Sequence, residues 1–177
     1  MNIFYLNKNP EIAAQMMCDK HVVKMILESA QMLSTAHRIC GGNTYADKVG
    51  LYKLTHMNHP SCKWVRADQH NYMWVYNHMI ALMKEYTYRY GKHHTTERLI
   101  EPLRQPSTWR WGLNFIEPPQ CMPEHCKGND TVLAYQTYYI LEKSNFATWK
   151  RRNAPEWFND KKRTILGLHA ESRPRGS

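Results

Sequence analysis

Side chains that can transfer protons or bind phosphate are densest near the beginning of the sequence. Asp19, Lys20 and His21 place a carboxylate, an amine and an imidazole in succession, and Lys24 follows one helical turn after Lys20. On a helix the two lysines share a face, which suits phosphate binding or, where burial lowers the pKa of one amine, nucleophilic chemistry. A solvated helix face with a Lys24–Glu28 ion pair is the simpler alternative.

Two more histidines extend this group. His37 lies about four turns after His21 on the same predicted helix, close enough to the same face for both to point toward one cleft. A capping or core histidine is the alternative for His37, and His59 lies in an irregular segment next to Asn58 and Pro60. We predict that the histidines transfer protons, that Asp19 orients them, and that the catalytic set is Asp19, Lys20, His21, Lys24, His37 and His59.

Two segments carry side chains of the kinds that bind metals. His56 and His59 have metal-ligand spacing for a helix, but Pro60 makes a continuous helix through them unfavourable. Cys121, His125 and Cys126 form a partial set that lacks a second spaced pair. We therefore expect neither a metal nor another cofactor.

Helical signals dominate the elements that would position these residues. Asn9 as N-cap and Pro10 as first helical residue predict a helix start, and the apolar spacing continues to Gly41-Gly42, as one long helix or two shorter ones. Similar patterns predict helices over residues 64–90, closed by Gly91, and over residues 131–150. Residues 43–63 are predicted to be irregular, and 101–126, with five prolines, to form a loop.

The expected fold is therefore mostly α, a single compact helical domain with long helices and a proline-rich loop. A chain of 177 residues is long enough to bury a core without disulfides or a structural metal. We place this domain at residues 1–165 and a flexible tail, part of which could be vector-derived, at residues 166–177.

The charge balance indicates a polyanionic partner. The sequence has 24 Lys and Arg residues against 15 Asp and Glu residues, a formal net charge of +9. Cations that neutralise phosphates release condensed counterions, and aromatic side chains among them can stack on bases. We predict a nucleic acid partner, DNA before RNA, contacted by Lys53, Asn58, Arg66, Asn71, Arg89, Lys150, Arg151 and Arg152.

Cysteine usage and hydropathy bear on the cellular compartment. Five scattered cysteines argue against a secreted disulfide framework. The first residues are too short an apolar stretch for a signal peptide, and no run approaches the length of a membrane span. The expectation is a cytoplasmic protein, in the host cytoplasm if phage-encoded, with no membrane partner and an undetermined oligomeric state.

Most of the chain resembles an uncharacterised family found in bacteriophages and cyanobacteria. That resemblance brings no assigned activity. It rests on the first four residues, on the segments 18–25, 30–37 and 58–60 with Trp64, and on the segments 85–92 and 155–157.

Residues 11–15, and the run from Leu82 through Glu85 to Arg89, are similar to phage-type pyrimidine-dimer DNA glycosylases. Those are small, basic, helical proteins that flip a nucleotide and cleave its glycosidic bond. The resemblance implies a Met-Thr start from which the methionine is cleaved to free the N-terminal amine. It also implies an Arg-Glu pair in the first helix. This sequence has Asn2, whose side chain should hinder removal of Met1, and Val22-Val23 near the expected pair. We therefore carry over fold and substrate class, and no catalytic residue.

The leading hypothesis is a DNA-processing enzyme of glycosylase or lyase type that acts on damaged or modified bases, with Lys20 or Lys24 as amine or phosphate ligand. A non-catalytic nucleic-acid-binding or host-interaction phage protein is the second. The third is an enzyme on free nucleotides or a metal-dependent phosphohydrolase that uses Asp19, His37, His56 and His59.

Overall fold

Helices make up the regular structure of the chain. The computed structural model describes residues 1–107 and 114–160, and these ranges contain no strand. The α-helices are α1 (Pro10–Met16), α2 (Asp19–Gly41), α3 (Asn43–Lys48), α4 (Pro60–Val65), α5 (Gln69–Tyr90) and α6 (Thr131–Glu142), and short 3-10 helices span Thr95–Leu99 and Glu124–Cys126. The predicted mostly α fold is confirmed.

The first predicted helix has the expected ends and one break. The side-chain oxygen of Asn9 accepts hydrogen bonds from the backbone N–H groups of Glu11 and Ile12, and Pro10 is the first helical residue. Extended backbone at Met17 and Cys18 separates α1 from α2. Gly42, with φ of 78°, ends α2 in the left-handed region that favours glycine.

Two predictions around Pro60 were wrong. Residues 43–63 are not irregular throughout, because they contain α3 and the beginning of α4. Pro60 is the first residue of α4, where a missing N–H costs nothing, and the His59 side chain caps that helix by accepting from the Ser61 N–H. The helix predicted over 64–90 is divided, since Asp68 caps a new helix, α5, by accepting from the His70 N–H.

The helix predicted over 131–150 was too long. Helix α6 begins as expected after Asp130, whose side chain accepts from the Leu133 N–H, but it ends at Glu142. The chain then turns back so that the Thr148 carbonyl and the Lys150 N–H reach Asp19 at the start of α2. A continuous helix could not make these contacts.

The core forms where α5 packs against both α1 and α2. Met25, Ile26 and Leu33 of α2 are fully buried, as are Tyr72 and Met79 of α5. The segment 2–6 before α1 is also buried, and the Leu6 carbonyl accepts a hydrogen bond from Gln136 of α6. The beginning of the chain is therefore part of the interior.

Among residues 1–107 and 114–160, no helix combines the length and apolar character needed to cross a lipid bilayer. The predicted tail at 166–177, and the predicted domain end at residue 165, lie outside the described residues.

Candidate active site

The first residues of the chain are clamped in a fixed position. The side-chain oxygen of Asn2 accepts from the backbone N–H groups of Ile3 (2.7 Å) and Phe4 (3.3 Å), and its amide nitrogen donates to the Cys121 carbonyl (2.8 Å). Phe4 has φ of 53°, an uncommon value for a residue with a side chain. Its ring stacks on that of His21 at a centroid distance of 4.1 Å, which holds the turn against α2.

This clamp directs the N-terminal amine at a carboxylate of α2. The Met1 amine lies 3.9 Å from Oε2 of Glu28, and the Asn2 backbone nitrogen lies 3.3 Å from the same oxygen. The Met1 side chain is only 2% exposed, and its sulfur accepts from the Cys62 thiol at 3.2 Å. Packing of this side chain therefore determines where the amine points.

Glu28 has a second amine on its other oxygen. Lys24, one turn earlier on α2, places Nζ 3.2 Å from Oε1 of Glu28. The Glu28 side chain is 14% exposed, whereas that of Lys24 is 67% exposed. A carboxylate that contacts two amines can act as a general base toward either of them.

A strained loop, residues 55–59, flanks this group. The Thr35 hydroxyl both donates to the Thr55 carbonyl (3.1 Å) and accepts from the Thr55 N–H (3.2 Å), so the loop is fixed to α2. His56 follows with φ of 46°, and its Nδ1 lies 2.6 Å from the Thr55 hydroxyl. Arg66 donates to the Met57 carbonyl at 2.7 Å. Non-glycine residues in this backbone region are enriched at functional sites, where the surrounding structure enforces the strain.

His59, at the end of the same loop, is held neutral. Burial lowers its pKa most, and the charges of the N-terminal amine and of His56 lower the pKa further, while Glu28 raises it. Its Nδ1 accepts from the Ser61 N–H at 3.1 Å, so the neutral ring carries its proton on Nε2. The amine, Glu28 and His59 therefore form one electrostatic unit.

An amine, a carboxylate and an imidazole together can carry out nucleophilic and general acid–base chemistry. Residues 1–98, more than half of the 177-residue chain, match the family model described as pyrimidine dimer DNA glycosylase. The chain belongs to the pyrimidine dimer DNA glycosylase family. No curated protein and no solved structure matches it.

The match to the glycosylase family includes α2 and the 55–59 loop, and therefore Met1, Lys24, Glu28 and His59. In the sequence, Val22-Val23 stands near the position of the expected Arg-Glu pair. The structure instead brings Glu28, less than two turns further along α2, to the N-terminal amine. In a glycosylase of this family, DNA is the implied substrate.

Of the six predicted catalytic residues, Lys24 and His59 lie in this group. Lys24 contacts Glu28, and His59 is close enough to the N-terminal amine and to Glu28 for both charges to shift its pKa. Lys20 is exposed, with Nζ 4.7 Å from the centre of the Phe146 ring.

His21 and His37 lie inside the protein in separate surroundings. His21 is 6% exposed and its Nδ1 hydrogen-bonds the Tyr139 hydroxyl, while burial lowers its pKa to about 3. His37 is 4% exposed, its Nε2 lies 2.9 Å from the Tyr72 hydroxyl, and burial lowers its pKa to about 4. The two rings do not face a common cleft, because each packs among different aromatic side chains.

Asp19 belongs to a different cluster, an ion-pair network around Arg89. The Arg89 guanidinium is fully buried and donates to Asp19 Oδ1 (2.9 Å), Glu85 Oε1 (2.7 Å) and the Gln15 carbonyl (3.0 Å). Arg152 donates to both oxygens of Glu85, at 2.5 and 2.8 Å. Asp19 is thus committed to holding α2, α5 and the segment after α6 together.

The predicted nucleic-acid contacts divide by burial. Lys53, Asn58, Lys150 and Arg151 are exposed, and Arg66 and Arg152 are half-buried. The prediction that Arg89 and Asn71 contact nucleic acid is corrected, because both side chains are fully buried. The Asn71 amide nitrogen donates to the Trp64 carbonyl at 3.0 Å and its oxygen accepts from Ile116, so neither side chain can reach a bound polymer in this structure.

Sequence reasoning missed the N-terminal amine and Glu28 as site residues. Lys24–Glu28 was visible only as an ion pair on a helix face. The signal that could have indicated more is the buried apolar segment at residues 3–6, which forces the chain terminus against the first long helix.

Proposed function

We propose that this protein is a DNA glycosylase with lyase activity that acts on pyrimidine dimers, and that its nucleophile is the N-terminal amine. The observation that carries the proposal is the amine of Met1 beside Glu28, at 3.9 Å, in a chain of this family. The Asn2 nitrogen is also within 3.3 Å of that carboxylate. Glu28 can therefore accept a proton from a terminal amine on either residue.

The reaction begins when Glu28 accepts a proton from the ammonium group and frees the nitrogen lone pair. The amine attacks C1′ of the damaged nucleotide, the glycosidic C–N bond breaks, and the base leaves with the bonding electrons and takes up the proton that the attacking nitrogen loses. The sugar ring then opens as its oxygen gains the proton from Glu28, and an imine joins the amine nitrogen to C1′.

Strand cleavage follows from the imine, which acidifies the neighbouring C2′. A base removes a C2′ proton, and the 3′ phosphate leaves with the electrons of the C–O bond. Neutral His59 and Glu28 are the two bases adjacent to the amine, and water finally hydrolyses the imine. Lys24 contributes a positive charge next to Glu28 and a phosphate contact.

Exposed cations supply the remaining DNA contacts in this proposal. Lys53 precedes the 55–59 loop, the neutral Asn58 belongs to it, and both side chains are exposed. Lys150 and Arg151 lie on the segment that the Arg89 network holds against α5. Phosphate contacts of this kind predict binding that weakens as salt increases.

The decisive experiment is borohydride trapping on a duplex oligonucleotide that contains one cyclobutane pyrimidine dimer. Reduction of the imine links protein to DNA, and peptide mapping identifies the modified amine, while the intact mass establishes which residue carries the terminal amine. We expect the adduct on the N-terminal residue. We expect Glu28→Gln to reduce trapping and strand cleavage by about 100-fold or more.

Glu11→Gln is the matched control, since Glu11 is exposed and only approaches Lys84 at 3.9 Å. An adduct on Lys24 instead of the terminal amine would contradict the assignment of the nucleophile. Equal activity of Glu28→Gln and Glu11→Gln would contradict the role of Glu28. Salt-dependent binding of the oligonucleotide by the unmodified protein without base release would favour the non-catalytic alternative.

A further inference from the structure

A thiol, an imidazole and a carboxylate meet at the end of α6, in a group that contains none of the residues of the proposed reaction. His125 Nε2 lies 2.8 Å from Glu142 Oε1, and the Cys126 sulfur completes a group whose three ligand atoms all lie within 4.8 Å of one another. His125 and Cys126 belong to the 3-10 helix Glu124–Cys126, and Glu142 is the last residue of α6. The group therefore joins two elements.

The loop that carries His125 and Cys126 is closed by its own hydrogen bonds. Gln120 donates to the Gly128 carbonyl at 2.7 Å and accepts from the Gly128 N–H at 3.0 Å. Within the loop, the Cys126 N–H donates to the Pro123 carbonyl at 3.0 Å. These bonds fix the backbone, so the ligand atoms need only side-chain rotations to converge.

We propose that Cys126, His125 and Glu142 bind a zinc ion, with water as the fourth ligand. Thiolate sulfur, imidazole nitrogen and carboxylate oxygen are the three ligand types of zinc sites, and three protein ligands plus water complete a tetrahedron. A thiolate and a carboxylate supply two negative charges against the two positive charges of the ion. Binding therefore releases the proton of the Cys126 thiol.

The three side chains differ in their access to solvent. Cys126 is 2% exposed. The His125 and Glu142 side chains are 58% and 37% exposed, which leaves an open approach for the ion. Cys121, the other cysteine of this loop, lies 3.5 Å from the Ser61 hydroxyl instead.

The position of the site suggests what the ion does. Cys121 accepts the Asn2 side-chain hydrogen bond at one end of the loop, and zinc would tie the other end to α6. The ion would stabilise the loop that holds the first residues in place. This proposal does not depend on the glycosylase mechanism.

The test is titration of the untagged full chain with Co²⁺, which reports a thiolate ligand through a charge-transfer absorption band. We expect this band at one cobalt per chain, its loss on addition of Zn²⁺, and a higher Tm with Zn²⁺. Cys126→Ser should abolish the band and the Tm shift, and His125→Ala should weaken binding. Cys121→Ser and Cys40→Ser should leave the band unchanged.

A wild-type chain that gives no charge-transfer band would mean that His125 and Glu142 form an ion pair only, and the proposal would fail. A band that persists in Cys126→Ser, or disappears in Cys121→Ser, would also overturn it. Far-ultraviolet circular dichroism of each variant separates loss of the site from loss of the fold.

Discussion

Replacement of Arg89 by Met tests whether the buried ion-pair network holds the helices together. The guanidinium has no exposed surface and donates to Asp19, Glu85 and the Gln15 carbonyl. Met has a similar length and retains the apolar packing of the stem, but it removes the positive charge and every donor. The change therefore removes the buried guanidinium that Asp19 and Glu85 both contact.

The size of the destabilisation depends on the hydrogen bonds that each carboxylate retains in Arg89→Met. Glu85 still has both bonds from Arg152, and Asp19 still accepts from the Lys150 N–H and the Thr148 hydroxyl. Breaking a buried ion pair by removing one partner costs about 3 to 5 kcal/mol of stability. Because these hydrogen bonds remain, we expect Arg89→Met to lower the free energy of unfolding by about 3 kcal/mol. For a domain of this size that corresponds to a Tm lower by about 6 to 12 °C.

Urea unfolding followed by circular dichroism measures this difference. Lys84→Met is the control, since Lys84 lies on the same helix, is 72% exposed and approaches only Glu11, at 3.9 Å. We expect the control to change the free energy of unfolding by less than about 0.5 kcal/mol. If Arg89→Met were no more destabilising than Lys84→Met, the network would contribute nothing measurable and the reasoning would fail.

Two further predictions concern stability. The free energy of unfolding should fall in mild acid, because burial lowers the pKa of His21 to about 3 and that of His37 to about 4. Between these values and the ordinary histidine pKa of about 6.5, the unfolded chain binds protons that the folded chain does not. Each histidine should cost up to about 2 kcal/mol at pH 5 relative to pH 7, and equal urea midpoints at the two pH values would contradict this. Asn9→Ala should destabilise by about 1 kcal/mol in urea unfolding through loss of the α1 cap, and an unchanged midpoint would show that the cap is dispensable.

Helix ends were predictable wherever a single residue type decides the backbone. Pro10 begins α1, and Gly42 and Gly91 end α2 and α5 with φ of 78° and 65°. Pro60 was not predictable in this way. A proline disrupts a helix that reaches it and favours one that starts at it, and the local sequence does not distinguish these cases.

The burial of polar side chains was harder to predict from the sequence than the helix ends. Arg89 and Asn71 look like exposed polar positions of a long helix, but both are covered by elements distant in sequence. Arg89 pairs with Asp19, and Asn71 accepts from Ile116. His21 and His37 were singled out for their chemistry, and their tertiary partners Tyr139 and Tyr72 make them buried, neutral side chains. Amphipathic spacing gives the face of a helix but not what lies against it.

The same limit explains why Glu28 emerged only from the structure. Its significance lies in its contact with residue 1, which depends on how segment 2–6 enters the core.

In the proposed reaction, stability and catalysis depend on different parts of α2. The Arg89 network fixes the start of α2, and Glu28, further along the same helix, faces the terminal amine. The Glu28 side chain is 14% exposed and that of its partner Lys24 is 67% exposed, whereas Arg89 has no access to solvent. Glu28→Gln should therefore remove activity with little loss of stability, and Arg89→Met should reduce stability while folded molecules keep the amine and its carboxylate in place. A variant of Glu28 that unfolded the protein would instead mean that this carboxylate is a structural anchor for the chain terminus.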